Sequence, residues 1–73
     1  MRFRQIDAEL EAANEKLVEF AKRAADGDQS RLFPEVRRET DFLADLIHVA
    51  PHRAGDIQYL IVLYEMLLER IVH

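Results

Sequence analysis

An all-α fold follows from three features of this sequence. Apolar residues recur at helical spacing through three segments. Three of the four glycine and proline residues fall in or beside two short breaks. No run of alternating apolar and polar residues is long enough to make a strand. With 73 residues the chain has length for one domain, spanning 1–73.

The first helix is predicted over about residues 3–25. Phe3, Ile6, Leu10, Ala13, Leu17, Phe20 and Ala24 alternate in steps of three and four, which keeps them on one face. Glu9, Glu11, Glu15, Lys16, Glu19, Lys22 and Arg23 occupy the other faces, with Glu19 and Arg23 in the favourable acid-first order four apart. The break at Asp26–Ser30 follows. Gly27 suits the left-handed backbone that ends a helix, Asp28 or Ser30 can cap the next one, and Pro34 is expected in that helix's first turn.

The second helix, over about 31–49, repeats the spacing with Phe33, Val36, Thr40, Leu43, Ile47 and Ala50. A second stripe, Phe42, Leu46 and Val49, lies on a different face. Pro51 disfavours helical backbone at Ala50, and Gly55 with Asp56 reads as a linker and N-cap. The third helix is therefore predicted over about 56–72, with a start at Pro51 and continuation through Gly55 as the alternative.

That third helix is apolar on most sides. One stripe is Ile57, Leu60, Ile61, Tyr64, Leu67, Leu68, Ile71 and Val72; the opposite side carries Tyr59, Val62, Leu63 and Met66. A helix apolar all round must be covered all round, and a chain this short has little material for the covering. Two architectures meet the requirement. One is an up-down-up three-helix bundle. The other is a helical hairpin with a C-terminal docking helix. Dimerisation is expected to complete either. The chain has no cysteine, so neither disulfides nor thiolate metal sites are available to a domain small enough to need support. A helix 3 at the centre of the core with both faces buried is one reading, but its surplus favours an interface. Burying Tyr59, Val62, Leu63 and Met66 would contribute roughly 6–10 kcal/mol as an upper bound. Together with Phe42, Leu46 and Val49 they are the predicted protein interface.

The charge balance sets the class of partner. A net charge of −4 repels phosphates and anionic lipid, so nucleic acid and membrane are disfavoured. The apolar run from Tyr59 to Leu68 is too short to span a bilayer and the N-terminus lacks the apolar core of a signal peptide; a cytoplasmic, soluble protein is expected. Chemistry is sparse. His48 and His52 with Asp45 have metal-ligand spacing, but Pro51 interrupts the helix between them, and they read as surface or loop residues. Arg37, Asp41 and Asp45 read as a solvated face with an Arg37–Asp41 ion pair rather than a carboxylate pair for acid–base work. No phosphate loop or nucleophile triad occurs, so neither an enzyme nor a cofactor is expected. The expected function is a noncatalytic, homodimeric interaction module that acts as a regulator, inhibitor or chaperone of a protein client. The alternatives are a permanent subunit of a hetero-complex, or a small dimeric DNA-binding regulator using Arg37, Arg38 and Arg53.

Overall fold

The computed structural model describes residues 2–27 and 29–72, with side chains from residue 5 to residue 71. Three α-helices account for almost all of them: α1 (Arg2–Ala25), α2 (Gln29–Val49) and α3 (Ala54–Val72), with a single 3₁₀ turn at Pro51–Arg53 leading into α3. There is no strand among the described residues, so the all-α class stands. Among the described residues no helix is long and apolar enough to cross a membrane.

The helix ends follow local chemistry. At the end of α1 the Asp26 amide donates back to the carbonyls of Lys22 and Arg23, and the Gly27 amide to that of Ala24. Gly27 turns the chain with φ +89°, a backbone that any Cβ would strain. α2 begins at Gln29, two residues earlier than expected. Ser30 is therefore inside the helix rather than its cap, and Asp28 lies outside the described residues. Pro34 consequently sits beyond the first turn, where its missing amide removes one helical hydrogen bond. At the second break Ala50 leaves helical geometry (φ −130°, ψ 66°), as the residue before a proline does. The chain then resumes at once. Pro51 starts the 3₁₀ turn, α3 runs from Ala54 through Gly55, and Asp56 is in its first turn rather than at its cap. α3 thus starts between the two expected positions and passes through Gly55 as the alternative had it, because a turn opening on proline can feed straight into a helix.

Cross-helix pairs give the relative directions. Lys16 meets Glu39 and Arg23 meets Glu35, so α1 and α2 run antiparallel. Asp7 meets Arg53 and Ala13 meets Tyr64, so α1 and α3 run the same way. The helices enclose one core built from Ile6, Leu10, Ala13 and Phe20 of α1, Leu32, Val36, Leu43 and Leu46 of α2, Ala50, and Ile57, Leu60, Ile61, Tyr64, Leu67 and Ile71 of α3. The predicted stripes of α1 and α3 face the core among the described side chains, with Leu17, Ala24 and Leu68 half-buried at its margin; Phe3 and Val72 lie outside the described side chains. On α2 the core face is rotated. Leu32 is fully buried, whereas Phe33 and Ile47 are half-buried, and Leu46 faces inward. The one buried polar residue among those described, Thr40, is satisfied by donating to the Val36 carbonyl at 2.8 Å.

Tyr64 holds the centre. It is fully buried, donates its hydroxyl to the Ala13 carbonyl at 2.5 Å, and meets the Phe20 ring edge-on with centroids 6.2 Å apart. Burial pushes its phenol above the ordinary tyrosine range, and the negative charge of Glu39 adds to the shift. The neutral phenol is thus favoured in the folded chain. Stability from this group is complete below about pH 10, where the unfolded tyrosine titrates, and is lost as the pH rises beyond it.

Two consequences are measurable. Tyr64→Phe should cost about 0.5–1.5 kcal/mol in urea unfolding at neutral pH and should blunt the loss of stability above about pH 10; an unchanged alkaline profile would refute the assignment. The glycines should respond with opposite sign. Gly27→Ala should destabilise by about 1 kcal/mol through its positive φ. Gly55→Ala, with open space around a helical position, should stabilise by about 0.5–1 kcal/mol.

Candidate functional site

Six large apolar side chains remain exposed among the described residues: Val18, Phe42, Val49, Tyr59, Val62 and Met66, each showing between 41% and 73% of its surface. Five of them belong to the predicted interface. Of the remaining two residues of that set, Leu46 is buried and Leu63 is half-buried. The fold divides the set between two surfaces.

The first is the seam between α1 and α2. Along α2, Glu35, Glu39, Phe42, Leu46 and Val49 recur in steps of four and three and so share one flank. Glu35 and Glu39 reach Arg23 (2.7 Å) and Lys16 (3.3 Å) on α1, which identifies the flank as the one facing α1. Arg23, expected to pair with Glu19 on its own helix, thus bridges two helices. These ion pairs span the seam towards Gly27, beside a cavity of about 510 Å³ that Phe20 and Arg38 also line. Towards Pro51 it opens into a groove of about 620 Å³ lined by Ile6, Phe42, Leu46, Val49 and Ala50, with Gln5, Glu9 and His52 at its edge. The cause lies in α1. It offers Gln5 and Glu9 beside Phe42 and Val49, where apolar side chains would have covered them.

The second surface is the outer face of α3. Tyr59, Val62 and Met66 lie across the helix from Ile57, Ile61, Tyr64 and Leu68, which meet the core. None of them lines the α1–α2 groove. The groove and the exposed α3 face are thus lined by different residues. Sequence periodicity identified both stripes, but the angle between helices, which decides whether two stripes meet, is a tertiary property.

Several charged groups are engaged within the chain. Arg53 donates through Nη1 to Asp7 and through Nε to Asp56 at 2.9 Å, and these bonds raise its already high pKa. Arg37 sits 3.7 Å from Asp41, the expected one-turn pair. Two of the three arginines that would have met DNA thus stand beside carboxylates, while Arg38 is exposed. Asp45 and His48 are on the exposed face of α2 and His52 is exposed in the 3₁₀ turn. Among the described residues no group of three or more histidine and carboxylate side chains is placed to hold a metal ion. The Tyr64 hydroxyl, whose pKa is raised by burial, is sealed in the core.

Comparison with protein-family models, curated proteins and solved structures finds no match for this chain. The functional reading therefore rests on its own residues.

Two separated surfaces should behave additively. Replacing Phe42 and Val49 by serine should lower the fluorescence of a dye for apolar surface, and so should replacing Tyr59 and Met66. The four-fold variant should show the sum of the two losses with unchanged helicity by circular dichroism. Strong non-additivity would mean that the patches form one site.

Proposed function

We propose that this chain is a noncatalytic interaction protein: an up-down-up helical bundle, completed by a second copy of itself, that regulates, inhibits or chaperones a protein client. The observation that carries the reading is the exposure of Tyr59, Val62 and Met66 along α3, in a chain whose other large apolar side chains are mostly buried. Contiguous apolar exposure of this kind is characteristic of interaction sites. Tyrosine and methionine suit such contacts, the first bringing area with a hydroxyl and the second an adaptable shape.

The separation of the two surfaces supports a division of labour. The α3 face serves self-association. The α1–α2 groove accepts an amphipathic helix of the client, whose apolar residues take the Phe42–Leu46–Val49 wall. The net charge of −4 favours a basic client and quickens encounter with it. The intramolecular pairing of Arg37 and Arg53 gives the DNA-binding reading no further support.

Light scattering on a sizing column, over a concentration series, tests self-association. The parent chain is expected at twice its 8.6 kDa mass. Leu63→Asp and Met66→Lys should return it to the monomer with helicity retained, whereas Val49→Glu, on the other surface, should leave the dimer intact. Dimers that survive both α3 substitutions would refute the assigned face.

A further inference from the structure

We infer that the second copy docks on α3 in the antiparallel sense, about a twofold axis beside Leu63, so that Asp56 of each chain meets Arg70 of the other. This inference rests on the self-association proposed above and specifies its partner, direction and register.

The face itself supplies the argument. Asp56, Tyr59, Leu63, Met66 and Arg70 follow one another in steps of three, four, three and four, which places them in one seam along α3. All five are exposed except Leu63, which is half-buried. The seam is apolar in the middle and charged at its ends, acid at the N-terminal end and base at the C-terminal end. Asp56 and Arg70 each stand seven residues from Leu63, so the charges are placed symmetrically about it. A twofold operation centred there brings Asp56 opposite Arg70 and sets Tyr59, four residues before Leu63, close to Met66, three residues after it. Apolar residues then meet apolar residues between two ion pairs. A contact of this kind is self-complementary, as a twofold interface requires.

The parallel arrangement fails on the same residues. It sets Asp56 against Asp56 and Arg70 against Arg70, two like-charge contacts at the ends of a short seam. It also aligns the two helix dipoles unfavourably, whereas the antiparallel pair opposes them. Both charges are available. Arg70 makes no ion pair among the described residues. Asp56 accepts from Arg53 Nε but remains largely exposed, with acceptor capacity to spare. Asp56 near the start of α3 and Arg70 near its end also suit the dipole of their own helix. The test must therefore read proximity between chains rather than helix stability.

The absence of native cysteine makes that test direct. Asp56→Cys and Arg70→Cys chains, one carrying an affinity tag, are mixed and treated with a short bismaleimide linker, and products are separated under denaturing conditions. A mixed dimer of this kind keeps one of its two Asp56–Arg70 pairs. The expected product is a covalent dimer containing one chain of each type, several-fold in excess over either chain linked to itself. Self-linked products in excess would establish the parallel arrangement and overturn the inference. A dimeric mass by light scattering without mixed linkage would overturn the register while leaving self-association in place. A monomeric mass at every concentration would overturn both. A charge exchange supplies the second readout. Arg70→Glu should weaken the dimer at low salt at least several-fold, and adding Asp56→Lys in the same chain should restore it; failure of the double variant to recover would also count against the pairing.

Discussion

The hydrogen bond from Tyr64 to the Ala13 carbonyl is the constraint on which the arrangement of helices depends. A phenol buried without a partner costs several kcal/mol on apolar transfer scales, so α3 is held at the depth and rotation where the Tyr64 hydroxyl reaches α1. Ala13 makes this possible. It is nearly fully buried and has no side chain beyond Cβ, so the α1 backbone comes within reach of the tyrosine. Phe20, two turns further along α1, then meets the tyrosine ring by its edge. One side chain thus combines a polar tether, an aromatic contact and a large share of the central volume.

Fixing α3 at this rotation fixes what it leaves outside. With Tyr64 inward, Ile57, Ile61 and Leu68 are inward with it, and Tyr59, Val62 and Met66 are turned to solvent. The exposed apolar face is therefore a direct result of the packing rather than a surface that rotation of the helix could hide. Rotating α3 to cover Met66 would expose the phenol's partner and half the core. The groove has a comparable origin. The ion pairs Lys16–Glu39 and Arg23–Glu35 bind α1 to α2 at one end, while the other end is left with Gln5 and Glu9 opposite Phe42 and Val49. Partly exposed pairs of this sort add modest stability. Their contribution here is to orient the flank.

Much of this was legible in the sequence, and the parts that were not share a physical cause. Three-four spacing identified the helices and their buried stripes on α1 and α3, because periodicity along one helix is a local property. Gly27 and Pro51 marked the turns through backbone sterics, which are equally local. Leu32 was missed because Phe33 beside it offered an equally regular stripe, and only the position of α3 shows which one faces inward. The start of α2 at Gln29 and the passage of α3 through Gly55 were obscured because residue preferences at helix ends are weak relative to packing. The division of the predicted interface into two surfaces depends on where α1 lies relative to α2, and spacing within either helix carries no information about that.

Both surfaces stay open among the described residues because the three helices spend their buried faces on one core. Here the buried residues already draw on all three helices, and the 3₁₀ turn of three residues has no length to spare. A small domain without disulfides gains from burial supplied by other chains. A partner on α3 would add that support to the element carrying Tyr64, the same residue that orients the core. Association and folding are then coupled through one helix: occupancy of the outer face favours the rotation that the inner face requires, and loss of the Tyr64 tether would loosen both together.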